Sequence, residues 1–159
     1  MAPKNPTDIL KEAILLERRG KAFYSTIAAQ TKSEAAKRIF SMMAEEEDEH
    51  IKFLSRQFAN YEKNHEFLEN EAYEEDPEEE IAMQVLTEQI KKEISAASFE
   101  AAAISAAMDF EERAVNVYAG RAESSDDSRE KEMYAMLADW ERGHHKWLHK
   151  INEDLKEEI

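Results

Sequence analysis

Cysteine is absent from this 159-residue chain, which excludes disulfides, thiolate metal sites and a cysteine nucleophile. Glycine and proline are scarce, 3 of each, so there is little punctuation for turns and the chain must be mostly helix. Positive charge is also in deficit: 21 Lys and Arg against 36 Asp and Glu give a net charge of -15. A phosphate backbone or an anionic membrane would be repelled, so neither is an expected partner, and the favoured small partners are cations. No run approaches the roughly 18 apolar residues that span a bilayer. The start, "MAPKNPTDILKEA", lacks a basic segment followed by an apolar one, and a soluble cytoplasmic protein is expected.

What is present is a balance of 36% charged and 42% apolar residues, suited to long amphipathic helices with solvated outer faces in a single domain. The stretch "FEERAVNVY", residues 110 to 118, carries Glu111 in the middle of an apolar stripe. Residues 16 to 24, "LERRGKAFY", do the same with Glu17, and Tyr24 and Tyr118 follow at equal spacing. Aligning each residue with the one 94 further on, without a gap from about Ile9 to Gln57, pairs Ala13 with Ala107, Arg19 with Arg113, Met42 with Met136, Glu47 with Glu141, His50 with His144 and Leu54 with Leu148. Two copies are too few for a repeat array, so the chain reads as two copies of a helical hairpin.

Within each copy the apolar period is helical: Leu10, Ala13, Ile14, Glu17, Tyr24 and Ala28, then Phe40, Met43, Glu47, His50 and Leu54. The second copy repeats it with Ile104, Ala107, Met108, Glu111, Tyr118 and Ala122, then Met133, Leu137, Glu141, His144 and Leu148. "QTKSE" and "ESSDDS" separate the helices of each copy, and Thr31 with Glu34 fits a capping box. Asn5 before Pro6 reads as the first N-cap, and Ser95 or Ser98 as the cap of the third long helix. Residues 60–80, "NYEKNHEFLENEAYEEDPEEE", form the expected long connection, with "EEDPEEE" as a solvated loop. "IAMQVLTEQIKKEI" then reads as a short extra helix. The expected layout is a four-helix bundle with hairpin 1 at about 5–63, a crossover at about 64–95 and hairpin 2 at about 96–157.

Residues three apart share a helix face, so Glu47 with His50, and Glu141 with His144, each direct two ligands to one point. Glu17 and Glu111 add one carboxylate from each of the other helices. One Glu from each of two helices and Glu-x-x-His from each of the other two is the arrangement of dinuclear iron and manganese bundles. Charge explains the count: four carboxylates facing one another would repel, and two divalent ions cancel them. Each ion can receive one histidine, one terminal carboxylate and a share of two bridging ones. Oxygen and imidazole donors suit Fe and Mn and would accept Zn, of which only the first two do redox chemistry.

Tyr24 and Tyr118 lie on the same faces two turns on, where a phenol can hydrogen-bond a ligating carboxylate. Gly20 costs about 1 kcal/mol against alanine inside a helix, which points to a need for space beside the metals. A third Glu-x-x-His, Glu62 with His65, has no counterpart 94 residues on and reads as a chance surface pair. Methionines at helical spacing read as core filler, Trp140 and Trp147 as packing beside the second motif, and His145 and His149 as solvated or outer-shell.

"ILLERRGKAFY", "MAEEEDEHIKFL", "AMDFEERAVNVY" and "LADWERGHHKWL" resemble the ferritin-like superfamily, most closely its rubrerythrin branch, over nearly the whole chain. The resemblance implies a di-iron centre held by Glu17, Glu47, His50, Glu111, Glu141 and His144, with Tyr24 and Tyr118 nearby. Rubrerythrins usually end in a rubredoxin domain with four cysteines. This chain has none, so the implied electron donor is a separate protein such as a rubredoxin. Rubrerythrins also carry a further glutamate where this chain has Ala114, and a glutamate where it has His144. The ligand set is similar to that of bacterioferritin, but Asp48 stands where bacterioferritin has its haem-binding methionine, so no haem is expected.

The expected function is a non-haem di-iron or Mn/Fe oxidoreductase that reduces hydrogen peroxide or dioxygen. The rivals are a ferroxidase with iron storage and a metal-stabilised bundle without turnover. A homodimer or larger homo-oligomer is expected.

Overall fold

The protein is described by a computed structural model covering residues 5–70 and 77–159, and the described residues form five helices and no strand. Helix α1 spans Pro6–Gln30, α2 Glu34–Asn64, α3 Pro77–Glu93, α4 Phe99–Ser124 and α5 Ser128–Lys156. The chain is an all-α helical bundle. Among the described residues no helix is long and apolar enough to cross a membrane.

Local chemistry sets the helix ends. Asn5 accepts from the Asp8 amide at 2.9 Å, with Pro6 in the first turn where its missing N–H costs nothing. α2 corrects the expected capping box. Its N-cap is Ser33, whose hydroxyl accepts from the Ala36 amide at 3.0 Å, while Thr31 closes α1 and turns its hydroxyl to Glu100 at 2.9 Å. Ser98 caps α4, and Asp127 caps α5 by accepting from two amides. Three residues, 31–33, join α1 to α2 and three, 125–127, join α4 to α5, which forces each pair into an antiparallel hairpin.

The connection between the hairpins is shorter than the sequence suggests at both ends. α2 runs on through Asn60–Asn64 to a left-handed cap at His65, and Glu78–Glu80 form the first turn of α3 instead of a loop. Glu74, Glu75 and Asp76 of the acidic run lie outside the described residues. His65 is exposed, with its ring against Tyr61, well away from the two paired Glu-x-x-His motifs. The returning strand of chain is pinned: Gln57 accepts from the Leu68 amide at 2.9 Å, and Arg129 of α5 donates to the Phe67 carbonyl at 3.1 Å. α3 lies against α2 and α5 through buried Met83, Leu86 and Ile90, and its Glu93 accepts from Ser33 Oγ and the Ala35 amide.

The core is divided into two apolar layers. One holds Tyr24, Ile39, Phe40, Ile104, Leu148 and the α3 residues; the other holds Leu10, Leu54, Tyr118, Met133, Tyr134 and Leu137. Each such side chain contributes about 1.5–3 kcal/mol on burial. Those two layers stabilise the bundle enough for a polar layer to sit between them, at the midpoint of all four long helices.

Candidate metal centre

That middle layer contains Glu17 on α1, Glu47 and His50 on α2, Glu111 on α4, and Glu141 and His144 on α5, all buried. The structure brings all six sequence-predicted residues together as two overlapping groups. Glu17, Glu47, His50 and Glu141 form one, and Glu47, Glu111, Glu141 and His144 the other, with one donor atom per residue within 4.8 Å of the rest. Glu47 and Glu141 belong to both.

Glu141 spans the two groups: its Oε1 is 3.0 Å from His50 Nδ1 and its Oε2 is 3.8 Å from His144 Nδ1. Glu47 Oε1 is 3.2 Å from His144 Nδ1. Of the four carboxylates in the two groups, the end pair align with the imidazoles as hydrogen-bond acceptors, Glu17 to His50 at 3.3 Å and Glu111 to His144 at 3.1 Å. Both oxygens of Glu47, both of Glu141 and Oε2 of Glu111 are buried without an aligned partner. An uncompensated buried polar atom costs about 1–3 kcal/mol, so this geometry is built for something that the protein atoms do not supply.

The tyrosines cross between the hairpins. Tyr118 of α4 donates to Glu17 of α1 at 2.6 Å, and Tyr24 of α1 donates to Glu111 of α4. Burial and the neighbouring carboxylates push both phenols well above their usual range, so each keeps its proton and remains a donor. Gly20 has its reason here: a Cβ added to it would lie 3.0 Å from the Phe110 ring and 3.1 Å from Glu47 Oε2. A methyl group would push directly on a shared carboxylate.

Electrostatics divides the carboxylates into two kinds. Burial and the Glu17 charge hold Glu47 well above the ordinary carboxylate range; burial and the charges of Glu47, Glu17 and Glu111 do the same to Glu141. Burial also opposes ionisation of Glu17, but the neighbouring Glu47, the His50 imidazole and the hydrogen bond from Tyr118 outweigh it and lower Glu17 to about 2. Glu111 is lowered likewise, chiefly by the His144 charge acting against burial. Burial disfavours the His144 cation too, yet Glu111, Glu46 and Glu47 overcome it and raise His144 well above its usual value. Burial and mutual repulsion thus favour the neutral form of the shared carboxylates, which two cations would otherwise compensate.

A metal ion competes with protons for these donors. Uptake is expected to release protons into the buffer, and affinity to rise with pH because competition by protons falls. Calorimetric Zn(II) titrations in two buffers of different ionisation enthalpy check this. Identical apparent enthalpies and no gain in affinity between pH 6 and pH 8 would contradict it.

One residue that the sequence reading missed belongs to the site. Glu46 of α2 makes a short contact to His144 Nε2 on α5, and burial notwithstanding, its hydrogen bond from His144 lowers it to about 2. Its equivalent 94 residues on is Trp140, so the internal repeat carried no signal for it. Trp140 stacks on His50 with ring centroids 4.7 Å apart. A cleft of about 590 Å³ between α2, α3 and α5 reaches His50 and His144 past Glu46, Glu79, Met42 and Trp140.

An all-α bundle with a buried carboxylate and histidine layer of this kind is that of a ferritin-like protein, and the cluster suggests a di-metal site. The rubrerythrin family model matches residues 8–152, and the chain belongs to the rubrerythrin family. No curated protein and no solved structure matches it.

Proposed function

We propose that the protein is a non-haem di-iron or Mn/Fe oxidoreductase that reduces hydrogen peroxide or dioxygen with electrons from a separate donor protein. The observation that carries this reading is the pair of shared carboxylates, Glu47 and Glu141, buried with no aligned partner between two histidines. The donor set fits divalent iron: oxygen and imidazole ligands, no thiolate, and a formal charge that two M2+ ions neutralise. Glu17 and His50 would hold one ion and Glu111 and His144 the other, with Glu47 and Glu141 shared.

Two ferrous ions held there would supply, one from each, the two electrons that with two protons reduce hydrogen peroxide to two waters. Tyr118 and Tyr24 hold the end carboxylates Glu17 and Glu111 in place by donating their hydroxyl protons. The two apolar layers exclude bulk water above and below the site, while the cleft beside Glu46 and Trp140 gives a small oxidant access. The electrons that restore the ferrous state would come from a separate donor protein, a rubredoxin being the type of donor that the family suggests.

An anaerobic Fe(II) titration of metal-free protein, followed by separate additions of H2O2 and O2, tests the proposal. The expected result is two irons per chain and a stoichiometric oxidation, faster with peroxide than with O2, read from ferric absorbance. Continued iron uptake with O2 as the faster oxidant would replace this reading with iron storage. Two bound metals without oxidant consumption would replace it with a structural site.

A further inference from the structure

The two metal positions are related by the internal repeat, yet the residues behind their histidines differ in kind. The residue just before each shared glutamate faces the histidine of the opposite helix. Glu46 therefore meets His144 through Nε2, and Trp140 stacks on His50. His144 Nδ1 points the other way, toward Glu111, Glu47 and Glu141. A carboxylate that accepts the Nε2 proton fixes the imidazole tautomer, leaves the Nδ1 lone pair for a metal, and raises its basicity. An indole has one N–H, is a donor only, and cannot accept a proton from His50 in that way.

We propose that Glu46 is a positioning residue that makes the two metal positions inequivalent, so that the His144 position binds a divalent cation more tightly and fills before the His50 position. The inference rests on the metal-centre reading above and adds an order of loading to it. Three features converge on it. Glu46 contacts the histidine and not the metal-facing atoms; its charge comes in addition to the four carboxylates of the two groups; and it lines the cleft through which a cation would arrive. Glu79 of α3 lines the same cleft beside it.

Co(II) titration of the metal-free full-length chain, followed by visible d–d absorbance, tests this. The wild type is expected to take up two ions in two resolved steps. Glu46→Ala should weaken the tighter step by roughly 10–100-fold, the usual effect of removing such a partner, and leave the second within about twofold. His50→Ala and His144→Ala assign the steps: Glu46→Ala should weaken Co(II) binding and shift the d–d bands in the His50→Ala background only. Trp140→Glu, which places a carboxylate behind His50, should bring the two steps together. Far-UV circular dichroism establishes that each variant is folded.

Equal weakening of both steps by Glu46→Ala, or no change in either, overturns the proposal while leaving the metal centre intact. A wild-type chain that binds no Co(II) overturns both. A Glu46→Ala effect on affinity without any change in the d–d bands would reduce Glu46 to a packing residue and also counts against it.

Discussion

Stripping both metal ions from the loaded protein is expected to lower its melting temperature by roughly 15–30 °C. A ligand that binds only the folded state stabilises it by about 4 kcal/mol at a thousandfold excess over its Kd, so two ions supply about 8 kcal/mol. For a chain of this length each kcal/mol moves the melting temperature by roughly 2–4 °C. The structure says where that energy enters. The five buried carboxylate oxygens without an aligned partner belong to Glu47, Glu111 and Glu141. Left without a partner, such buried oxygens cost the fold about 1–3 kcal/mol each, and a cation would turn them from a cost into ligands. Thermal melts of Zn(II)-loaded and chelator-treated protein check this, Zn(II) being chosen so that oxidation does not intrude. Melting curves that coincide within about 2 °C would sink the claim that the middle layer is a metal site.

Replacing Glu141 by methionine is expected to move the two forms in opposite directions. The loaded form should be lost, because Glu141 is shared by both groups and neither keeps its full set of donors. Metal-free Glu141→Met, in contrast, should be more stable than metal-free wild type by about 1–3 kcal/mol, the cost of a buried polar atom left without a partner. Glu141 is 1% exposed, and both its oxygens lack an aligned partner. The pH dependence carries the same signature. Burial and three neighbouring carboxylates raise Glu141 above its unfolded value of 4.5, so the folded chain holds that proton more tightly than the unfolded one. Its contribution to stability is complete below about 4.5 and is lost as pH rises through the folded value. Metal-free wild type should therefore weaken with rising pH in that window more than Glu141→Met does. Denaturant unfolding of both proteins, without metal, measures the difference. A variant less stable than wild type across the window would show that Glu141 is well accommodated without a cation.

The chain also shows how a repeat can hide an asymmetry. The two hairpins match closely enough that Glu17 and Glu111, Tyr24 and Tyr118, and the two Glu-x-x-His pairs read as equivalents. At the register just before the shared glutamates the repeat breaks, with Glu46 in one copy and Trp140 in the other. A search for repeated chemistry passes over such a position, because its meaning lies in the opposite hairpin.

The sequence by itself determined the elements and the residues turned inward. Helical period 3.6 places Leu10, Tyr24, Phe40, Leu54, Ile104, Tyr118, Leu137 and Leu148 on core faces, and the same period carries Glu17, Glu47, His50, Glu111, Glu141 and His144 inward with them. Both facts are local to a helix, so spacing along the chain suffices to read them. Cap choice depended on smaller differences. Thr31 and Ser33 both have a hydroxyl within reach of a helix start, and contacts with Glu100 and Glu93 from distant elements decided between them. The tertiary structure alone decided that Tyr24 serves Glu111 and Tyr118 serves Glu17, that Glu47 and Glu141 are the shared pair, and that Glu46 backs His144 while an indole covers His50. Each of these is set by how far two helices are shifted and rotated against each other. That is a property of side chains packing between helices, and no single stretch of sequence contains it.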